Sequence, residues 1–177
     1  DVCSSDLAAR RSPSRSRDAG ATWTESVVPH AQGVPAEHGF VSILPAADGG
    51  AAIIMLDGTA GALAAEAAKQ GGGHDAHGGG MQLGYAAWKD GAVIEQRILD
   101  TRTCDCCQTT AAMTSRGPVV VYRDRSDDEM RDMAVTRLVG GAWTAPATLH
   151  ADGWKIDYCP VNGPAAGAIG DTVAVAW

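Results

Sequence analysis

The chain has little charge, few aromatic residues and no long apolar run. Of its 177 residues, 20% are charged and 5% are aromatic, with a single phenylalanine. The net charge of −7 leaves no basic surface to neutralise phosphates, which argues against a nucleic-acid partner. The longest apolar run, residues 51–56, is too short to cross a bilayer, so we expect no membrane span. Hydrophobic residues still make up 45% of the chain, enough for an ordinary globular core.

The two ends of the chain differ from its interior. The first seven residues, DVCSSDL, read as the translation of GAC GTG TGC TCT TCC GAT CT, which resembles the end of a widely used sequencing-adapter oligonucleotide. The last residues, DTVAVAW, read as a strand that stops at Trp177. We therefore expect an open reading frame cut at both ends, in which residues 1–7 are foreign and Cys3 is not native.

Short strand-like runs separated by turn dipeptides dominate the interior. FVSILP leads through AADGG into AAIIML, and LGYAAW leads through KDG into AVIEQRIL. Three further pairs of runs are joined in the same way, with glycine at each turn: QTTAAMT with PVVVYR, DMAVTRLV with AWTAPATL, and GPAAGAI with TVAVAW. Glycine and Asp-Gly are the residues that tight hairpins require. The pattern predicts an all-β fold built from hairpins.

The hairpins recur in pairs along the chain. Asp57, at the end of one strand, matches Asp124 with a shift of 67 residues, and GPVVVY matches DTVAVA with a shift of 54. The first interval is longer because residues 58–80 form an insertion between two hairpins. A period near fifty with about four short strands per unit predicts a β-propeller with one unit per blade. A β-sandwich with coincidental spacing is the alternative.

The insertion divides into two parts. GALAAEAAKQ is rich in alanine, which predicts a short helix. The following HDAH offers two imidazoles and a carboxylate, but triple glycines flank it and give it no rigid support. We interpret it as a flexible segment and predict neither a metal site nor a cofactor.

One motif carries a resemblance to a known family. SRDAGATW, residues 16–23, fits the pattern Ser-x-Asp-x-Gly-x-Thr-Trp at every fixed position: Ser16, Asp18, Gly20 and Trp23 are its structural residues, with Thr22 between them. In such a turn the aspartate accepts backbone N–H bonds and the glycine takes a positive φ. The motif resembles the Asp-box of the sialidase superfamily, also called the BNR repeat. LVGGAW, which ends at Trp143, is similar to a degenerate copy of the same turn.

The resemblance implies a six-bladed, all-β propeller, of which this chain would hold about half. Residues 1–7 lie outside it. The predicted units are the last strands of one blade at 8–37, a full blade at 38–106 that includes the insertion at 58–80, a second full blade at 107–159, and the first half of the next blade at 160–177.

In a propeller, the loops that link blades and the loops between second and third strands share one face, whereas the Asp-box turn lies on the opposite face. The chemically suggestive segments of this sequence all belong to the first two kinds of loop. They are residues 37–40 (EHGF), 71–80, 104–109 (CDCCQT), 123–132 (RDRSDDEMRD) and 158–163 (YCPVNG). We therefore expect them to converge on one face, around a common concavity.

Four cysteines lie at predicted blade entrances: Cys104, Cys106, Cys107 and Cys159. Their spacing allows Cys159 to lie beside the other three, and four cysteines permit three pairings. We favour one or two disulfides that staple adjacent blades. A soft-metal thiolate site and a redox-active pair formed by Cys106 and Cys107 are the alternatives.

The resemblance also implies roles for individual residues. Sialidases hold a substrate carboxylate with arginines and use an aspartate as acid/base and a Tyr–Glu pair as nucleophile. By resemblance, Asp124 and Tyr158 are the catalytic candidates. Substrate binding is predicted for His38, Gln108, Arg123, Arg125 and Asn162. Solvated Arg–Asp pairs and a structural histidine are the alternatives from the residues alone.

The function implied is that of an exported bacterial, sialidase-like glycoside hydrolase acting on anionic sugars or glycans. The alternative is a non-catalytic propeller that binds a ligand or a protein partner on the same face. The disulfides carry the prediction of export, because such bonds persist in oxidising compartments.

Overall fold

A computed structural model describes residues 13–30, 33–46, 48–71 and 80–177. Residues 1–7 and the HDAH segment lie outside the described residues, so the predictions made for them stay predictions. The described part is mostly β, with antiparallel sheets of which none is closed. Its elements follow in the order β1 (His38–Pro45), β2 (Ala51–Asp57), α1 (Thr59–Gly71), β3 (Met81–Lys89), β4 (Ala92–Thr103), β5 (Thr110–Thr114), β6 (Gly117–Arg123), β7 (Met133–Val139), β8 (Ala142–Trp143), β9 (Ala147–His150), β10 (Ala165–Ile169) and β11 (Thr172–Ala176).

The first sheet has four antiparallel strands in the order β1-β2-β3-β4. Tight turns join β1 to β2 and β3 to β4, as the sequence predicts. Asp90 and Gly91 both take a positive φ between β3 and β4, which suits a hairpin. The helix predicted in the insertion is confirmed as α1, between β2 and β3. Among the described residues, no helix is long and apolar enough to cross a membrane.

The second sheet runs in the order β5-β6-β7-β8, and β9 also pairs with β7. Its outer strand is therefore split into two short pieces, where AWTAPATL had predicted one continuous run. Pro146 separates the pieces, and proline has no N–H to donate to a strand ladder. β10 and β11 form a two-stranded sheet by themselves.

The core lies between the first and second sheets. Ile54, Leu56 and Leu83 of the first sheet pack with Val120 and Tyr122 of the second, and all five are at most 1% exposed. The ring of Tyr85 contacts the ring of Trp143 edge-on, with 5.1 Å between their centroids. The opposite face of the first sheet buries Ile53, Met55, Ala86 and Trp88. The middle strands of the first sheet are therefore buried on both faces.

The first strands of the three sheets lie side by side. Thr109, just before β5, donates its hydroxyl to the carbonyl of Phe40 in β1 at 2.8 Å. Ala166 of β10 donates its backbone N–H to the hydroxyl of Thr110 in β5 at 3.1 Å. The starts of β1, β5 and β10 are therefore neighbours, although they are far apart in sequence. This adjacency brings the segments that precede these strands together.

The Asp-box turn has the predicted hydrogen bonds. Asp18 Oδ1 accepts the backbone N–H of Thr22 at 2.9 Å, and Gly20 has a φ of 93°. Hydrogen bonds from the hydroxyl groups of Thr22 and Ser16 lower the pKa of Asp18 to about 2. Arg15 beside this turn contacts Gly49 at the β1–β2 hairpin, so the turn lies at the hairpin end of the first sheet. Asp57 is at the other end of β2, roughly 20 Å along the strand.

The expectation of two strands flanking this turn is wrong, because residues 13–30 contain no assigned strand. Thr24 and Arg15 form one backbone bond of 2.9 Å, but the N–H of Arg15 goes to the hydroxyl of Thr24 at 3.0 Å. The segment is therefore a turn with two loosely joined arms.

The LVGGAW turn, which ends at Trp143, repeats this arrangement of hydrogen bonds. The N–H of Arg137 goes to the hydroxyl of Thr144 at 3.1 Å, and the N–H of Thr144 goes back to the carbonyl of Arg137 at 2.9 Å. The hydroxyl of Thr136 donates to the carbonyl of Thr144 at 2.8 Å, as that of Ser14 does to Thr24 at 2.6 Å. The same three hydrogen bonds thus recur at both turns.

Candidate functional site

The candidate site is built around the loop between β4 and β5, which connects the first two sheets. The N–H of Cys104 donates to the carbonyl of Arg123 at 3.0 Å, and Thr103 bridges to Asp124. Asp105 Oδ1 accepts the N–H of Met81 at 2.9 Å. The loop is therefore bonded to both sheets through its backbone and through one carboxylate. We call residues 104–109, 124–132 and 158–163 together the entrance cluster.

Two disulfides lie within the entrance cluster. Cys106 is bonded to Cys159, with 6.1 Å between their Cα atoms, and Cys104 is bonded to Cys107, with 5.7 Å between theirs. The prediction that Cys159 pairs with one of the three clustered cysteines is confirmed. Cys104 and Cys107 are buried, whereas Cys159 is exposed. The longer bridge joins the entrance of β5 to the segment that precedes β10.

Gly163 is the second point at which these two segments meet. A Cβ atom at this position would collide with the carbonyl oxygen of Gln108, which is backbone and cannot rotate away. Only a residue without a side chain allows the two segments to pack this closely. The glycine in YCPVNG therefore serves a close backbone approach.

We expect Gly163→Ala to lower the free energy of unfolding by about 2 kcal/mol, because the two segments must move apart to admit a methyl group. Urea unfolding followed by tryptophan fluorescence measures this. Gly167→Ala is the matched control, since no atom lies within 4 Å of its added Cβ in β10. Equal losses in the two variants would contradict the close packing of Gly163 on Gln108.

The buried guanidinium of Arg123, at the end of β6, contacts two segments of the entrance cluster and the ring of Trp154. It is 3% exposed. Its Nε donates to the carbonyl of Asn162 at 2.7 Å and its Nη1 donates to the carbonyl of Arg131 at 2.6 Å. The guanidinium also stacks on Trp154, 4.3 Å from the ring centroid. Burial lowers the pKa of Arg123. These contacts hold the loops in place. They also use Nε and Nη1 of Arg123, a residue that the sequence analysis had predicted to bind a substrate carboxylate.

Arg125 and Arg131 share one carboxylate. Glu129 accepts from Arg125 Nη2 at 2.8 Å and from Arg131 Nη2 at 2.7 Å. Arg125 also pairs with Asp105 in the β4–β5 loop. Hydrogen bonds from Arg125 and then from Arg131 lower the pKa of Glu129 to about 2, so it stays ionised. Each guanidinium is thus matched by protein carboxylates.

Asp124 differs from these paired groups. It follows β6 and is half-buried, and its Oδ1 accepts the N–H of Arg125 at 2.7 Å. Burial raises the pKa of Asp124 and outweighs the hydrogen bond from the N–H of Arg125, which lowers it; the carboxylate of Asp100 adds to the increase. Asp124 is therefore a carboxyl group that retains its proton to higher pH than an ordinary aspartate.

His38 and Asp57 form a separate buried pair at the same end of the first sheet. His38 Nε2 lies 3.2 Å from Asp57 Oδ1, and their side chains are 1% and 10% exposed. His30 stacks on His38 with 3.6 Å between ring centroids. Burial alone would raise the pKa of Asp57, but hydrogen bonds from His38 and Thr59 outweigh it and lower the pKa to about 2. Asp57 also lines a cavity of about 360 Å³ with His30, Tyr85 and Gln96.

The remaining candidates lie at the surface of the entrance cluster. Tyr158 is 72% exposed, and Gln108 and Asn162 are also exposed. The structure thus brings Gln108, Arg123, Arg125, Asp124 and Asn162 into one connected cluster. His38 is directed to Asp57 instead. A neighbouring cavity of about 380 Å³ joins the two areas, since it is lined by Glu37, Gly58, Met81 and Asp105.

Sequence reasoning missed three residues that hold this cluster together. Asp105 and Glu129 pair with arginines, and Trp154 stacks on Arg123. The alternation of arginines with acidic residues in RDRSDDEMRD was a signal for such pairs, and Asp105 lies inside the cysteine motif itself. Nothing in the sequence around Trp154 distinguishes it from the other tryptophans.

Compared with protein-family models, curated proteins and solved structures, the chain matches none.

Proposed function

We propose that the chain is part of a sialidase-like β-propeller in an exported protein. The Asp-box turn and its repeat at LVGGAW support this, as does the side-by-side arrangement of the first strands. Four antiparallel strands stacked against the next sheet are what a blade requires. The two disulfides support export, because such bonds are rare in reducing compartments.

The activity we propose is hydrolysis of a glycoside, with Asp124 as the general acid. The observation that carries this is the raised pKa of a half-buried carboxyl within the entrance cluster. A carboxyl that retains its proton can donate it to a leaving-group oxygen. Tyr158 is exposed on the same cluster and is the proposed nucleophile.

Ligand contacts in this proposal come from exposed side chains. Arg123 and Arg125 already bind protein carbonyls and carboxylates, so we assign them to positioning the loops. Gln108 and Asn162 are exposed and offer amide donors and acceptors suited to sugar hydroxyl groups. A glycan, including one that carries acidic sugars, remains the proposed substrate class.

Asp124→Asn tests the activity. A panel of fluorogenic sialosides and neutral glycosides is incubated with the purified chain, and we expect kcat to fall by at least about 100-fold in the variant. Asp128→Asn is the matched control, because Asp128 is an exposed aspartate in the same loop. The wild-type rate should decline as pH rises through the pKa of Asp124, because deprotonation removes the general acid. An Asp124→Asn variant with wild-type kcat would exclude the assigned role.

A non-catalytic propeller that binds a ligand or a protein partner is the second candidate. The observation that favours it is that Arg102, Arg125 and Arg131 are all paired with carboxylates of the same protein. A surface whose arginines are already paired with carboxylates of the same protein suits binding to uncharged groups. Glycan-array binding by the wild-type chain, with no hydrolysis of any panel substrate, would select this candidate over the hydrolase.

A further inference from the structure

The sulfur atoms of the four cysteines in the entrance cluster lie closer together than two independent disulfides require. The Sγ atoms of Cys104, Cys106 and Cys107 all lie within 4.8 Å of one another. Cys159 is bonded to Cys106, so its sulfur belongs to the same group. Although Cys104 and Cys106 belong to different disulfides, their sulfurs are only 4.0 Å apart.

This convergence does not depend on the disulfides themselves. Hydrogen bonds also hold each cysteine-bearing segment. The N–H of Cys104 donates to the carbonyl of Arg123, the N–H of Met81 donates to Asp105, and Nε of Arg123 donates to the carbonyl of Asn162. The contact between Gly163 and Gln108 holds the same two segments together. Reduction of both disulfides would therefore release four thiols that remain close to one another.

We propose that the reduced chain binds one thiophilic cation of the Zn²⁺ type through Cys104, Cys106, Cys107 and Cys159. A tetrahedral zinc site with Zn–S bonds of about 2.3 Å has sulfurs about 3.8 Å apart. The 4.0 Å between the sulfurs of Cys104 and Cys106 is close to that spacing. Thiolate ligands favour soft cations such as Zn²⁺ and Cu⁺ over Mg²⁺ or Ca²⁺.

Arg131 supplies a second contact that suits a thiolate ligand. Its guanidinium is 3% exposed, and Nη1 donates to Cys104 Sγ at 3.4 Å. A buried cation beside a sulfur stabilises its ionised form, and a donor to a ligand sulfur fixes the ligand's orientation. Arg131 would also offset part of the negative charge of a site with four thiolates.

A reductant must convert both disulfides to thiols before the metal binds. Each disulfide takes two electrons and two protons from a dithiol, or from a phosphine and water, and becomes two thiols. Zn²⁺ then displaces the four thiol protons to the solvent and binds four thiolates without changing its oxidation state. The site does not depend on the proposed glycosidase activity, and its oxidised form is the pair of disulfides described above.

The test uses the chain with Cys3→Ser, which removes the one thiol outside the cluster. The protein is reduced with an excess of phosphine under argon, and Zn²⁺ is titrated in competition with a chromophoric chelator. We expect one equivalent to bind, and Cys104→Ser and Cys159→Ser each to weaken binding by more than ~100-fold, because loss of an outer-shell contact alone costs about 10- to 100-fold. The chain with Cys3 intact should have the same affinity as its Cys3→Ser parent.

Co²⁺ gives a measurement that does not depend on the folding of variants. Bound to the reduced parent chain, it should show thiolate-to-cobalt charge-transfer absorption and the intense visible bands of tetrahedral coordination. Addition of Zn²⁺ should remove both. A reduced parent without charge-transfer absorption, or Cys159→Ser and Cys104→Ser variants that retain the parent's affinity, would overturn the proposal.

Discussion

Replacing Cys106 and Cys159 together by serine is expected to lower the free energy of unfolding by about 4 kcal/mol. The bridge closes a loop across a sequence separation of 53 residues, and a cross-link of that span removes conformational entropy from the unfolded chain. The same model gives about 2 kcal/mol for the Cys104–Cys107 bridge, whose separation is 3 residues. The two disulfides should therefore differ clearly in their effect.

Both members of the long bridge are replaced so that no free thiol remains to attack the other disulfide. Urea unfolding of the Cys3→Ser chain, of its double variant Cys106→Ser/Cys159→Ser and of Cys104→Ala/Cys107→Ala gives the three stabilities under oxidising conditions. Full reduction of the parent should remove its advantage over the double variant. If the oxidised parent and the Cys106→Ser/Cys159→Ser variant unfold at the same urea concentration, the long bridge is not a stabilising element.

Asp57→Asn is expected to lower the free energy of unfolding by about 3 kcal/mol near pH 7. The carboxylate is buried 3.2 Å from Nε2 of His38, and loss of a buried hydrogen bond to a charged group is costly. Asp57 also accepts the N–H of Thr59 at 2.8 Å, which fixes the chain where β2 ends and α1 begins. The expected loss combines a weakened contact with His38 and a weakened hydrogen bond from the N–H of Thr59.

The pH dependence of this effect follows from the pKa of Asp57, which is about 2 against an ordinary value of 3.8. Because the folded state lowers the pKa, the carboxylate stabilises the protein fully above the ordinary value. That contribution, about 2 kcal/mol, is lost as pH falls from about 4 towards 2. The Asp57→Asn variant lacks this group, so its stability should change less over the same interval.

Urea unfolding at about pH 7, 4 and 2 measures both parts of the prediction. Asp48→Asn is the matched control, since Asp48 pairs with Lys89 at 2.8 Å but its side chain is 52% exposed. Exposed ion pairs contribute little, so this variant should remain close to wild type at pH 7. A wild-type chain that loses no more stability between pH 4 and 2 than Asp57→Asn would show that the pair does not act as described.

Local chemistry allowed several features to be predicted from sequence. The hairpins follow from glycine and Asp-Gly turns, helix α1 follows from an alanine-rich run, and the Asp-box turn follows from Asp18 and Gly20. Each of these depends on residues within a few positions of one another. The same local reasoning predicted strands around the turn at residues 16–23, and residues 13–30 form none.

The convergence of the cysteine segments was also predictable, because hairpins of regular spacing place the entrances of successive sheets at the same end. The choice among three cysteine pairings was not. It depends on distances between segments that are 53 residues apart in sequence, and only packing through Arg123 and Gly163 fixes those distances. Sequence spacing limited the possibilities, and tertiary contacts selected one.

The sequence by itself determined that Gln108, Arg123, Asp124, Arg125 and Asn162 would lie close together, and the tertiary structure decided what their side chains could do there. Arg123 and Asp124 are adjacent in the chain, and both are charged residue types. The guanidinium of Arg123 is buried and donates to backbone carbonyls, whereas the carboxyl of Asp124 is half-buried and has a raised pKa. The physical reason is that burial and charge environment arise from neighbours supplied by distant parts of the chain. In this chain those neighbours are Asn162, Trp154 and Asp100, which lie 39, 31 and 24 positions from Arg123 or Asp124.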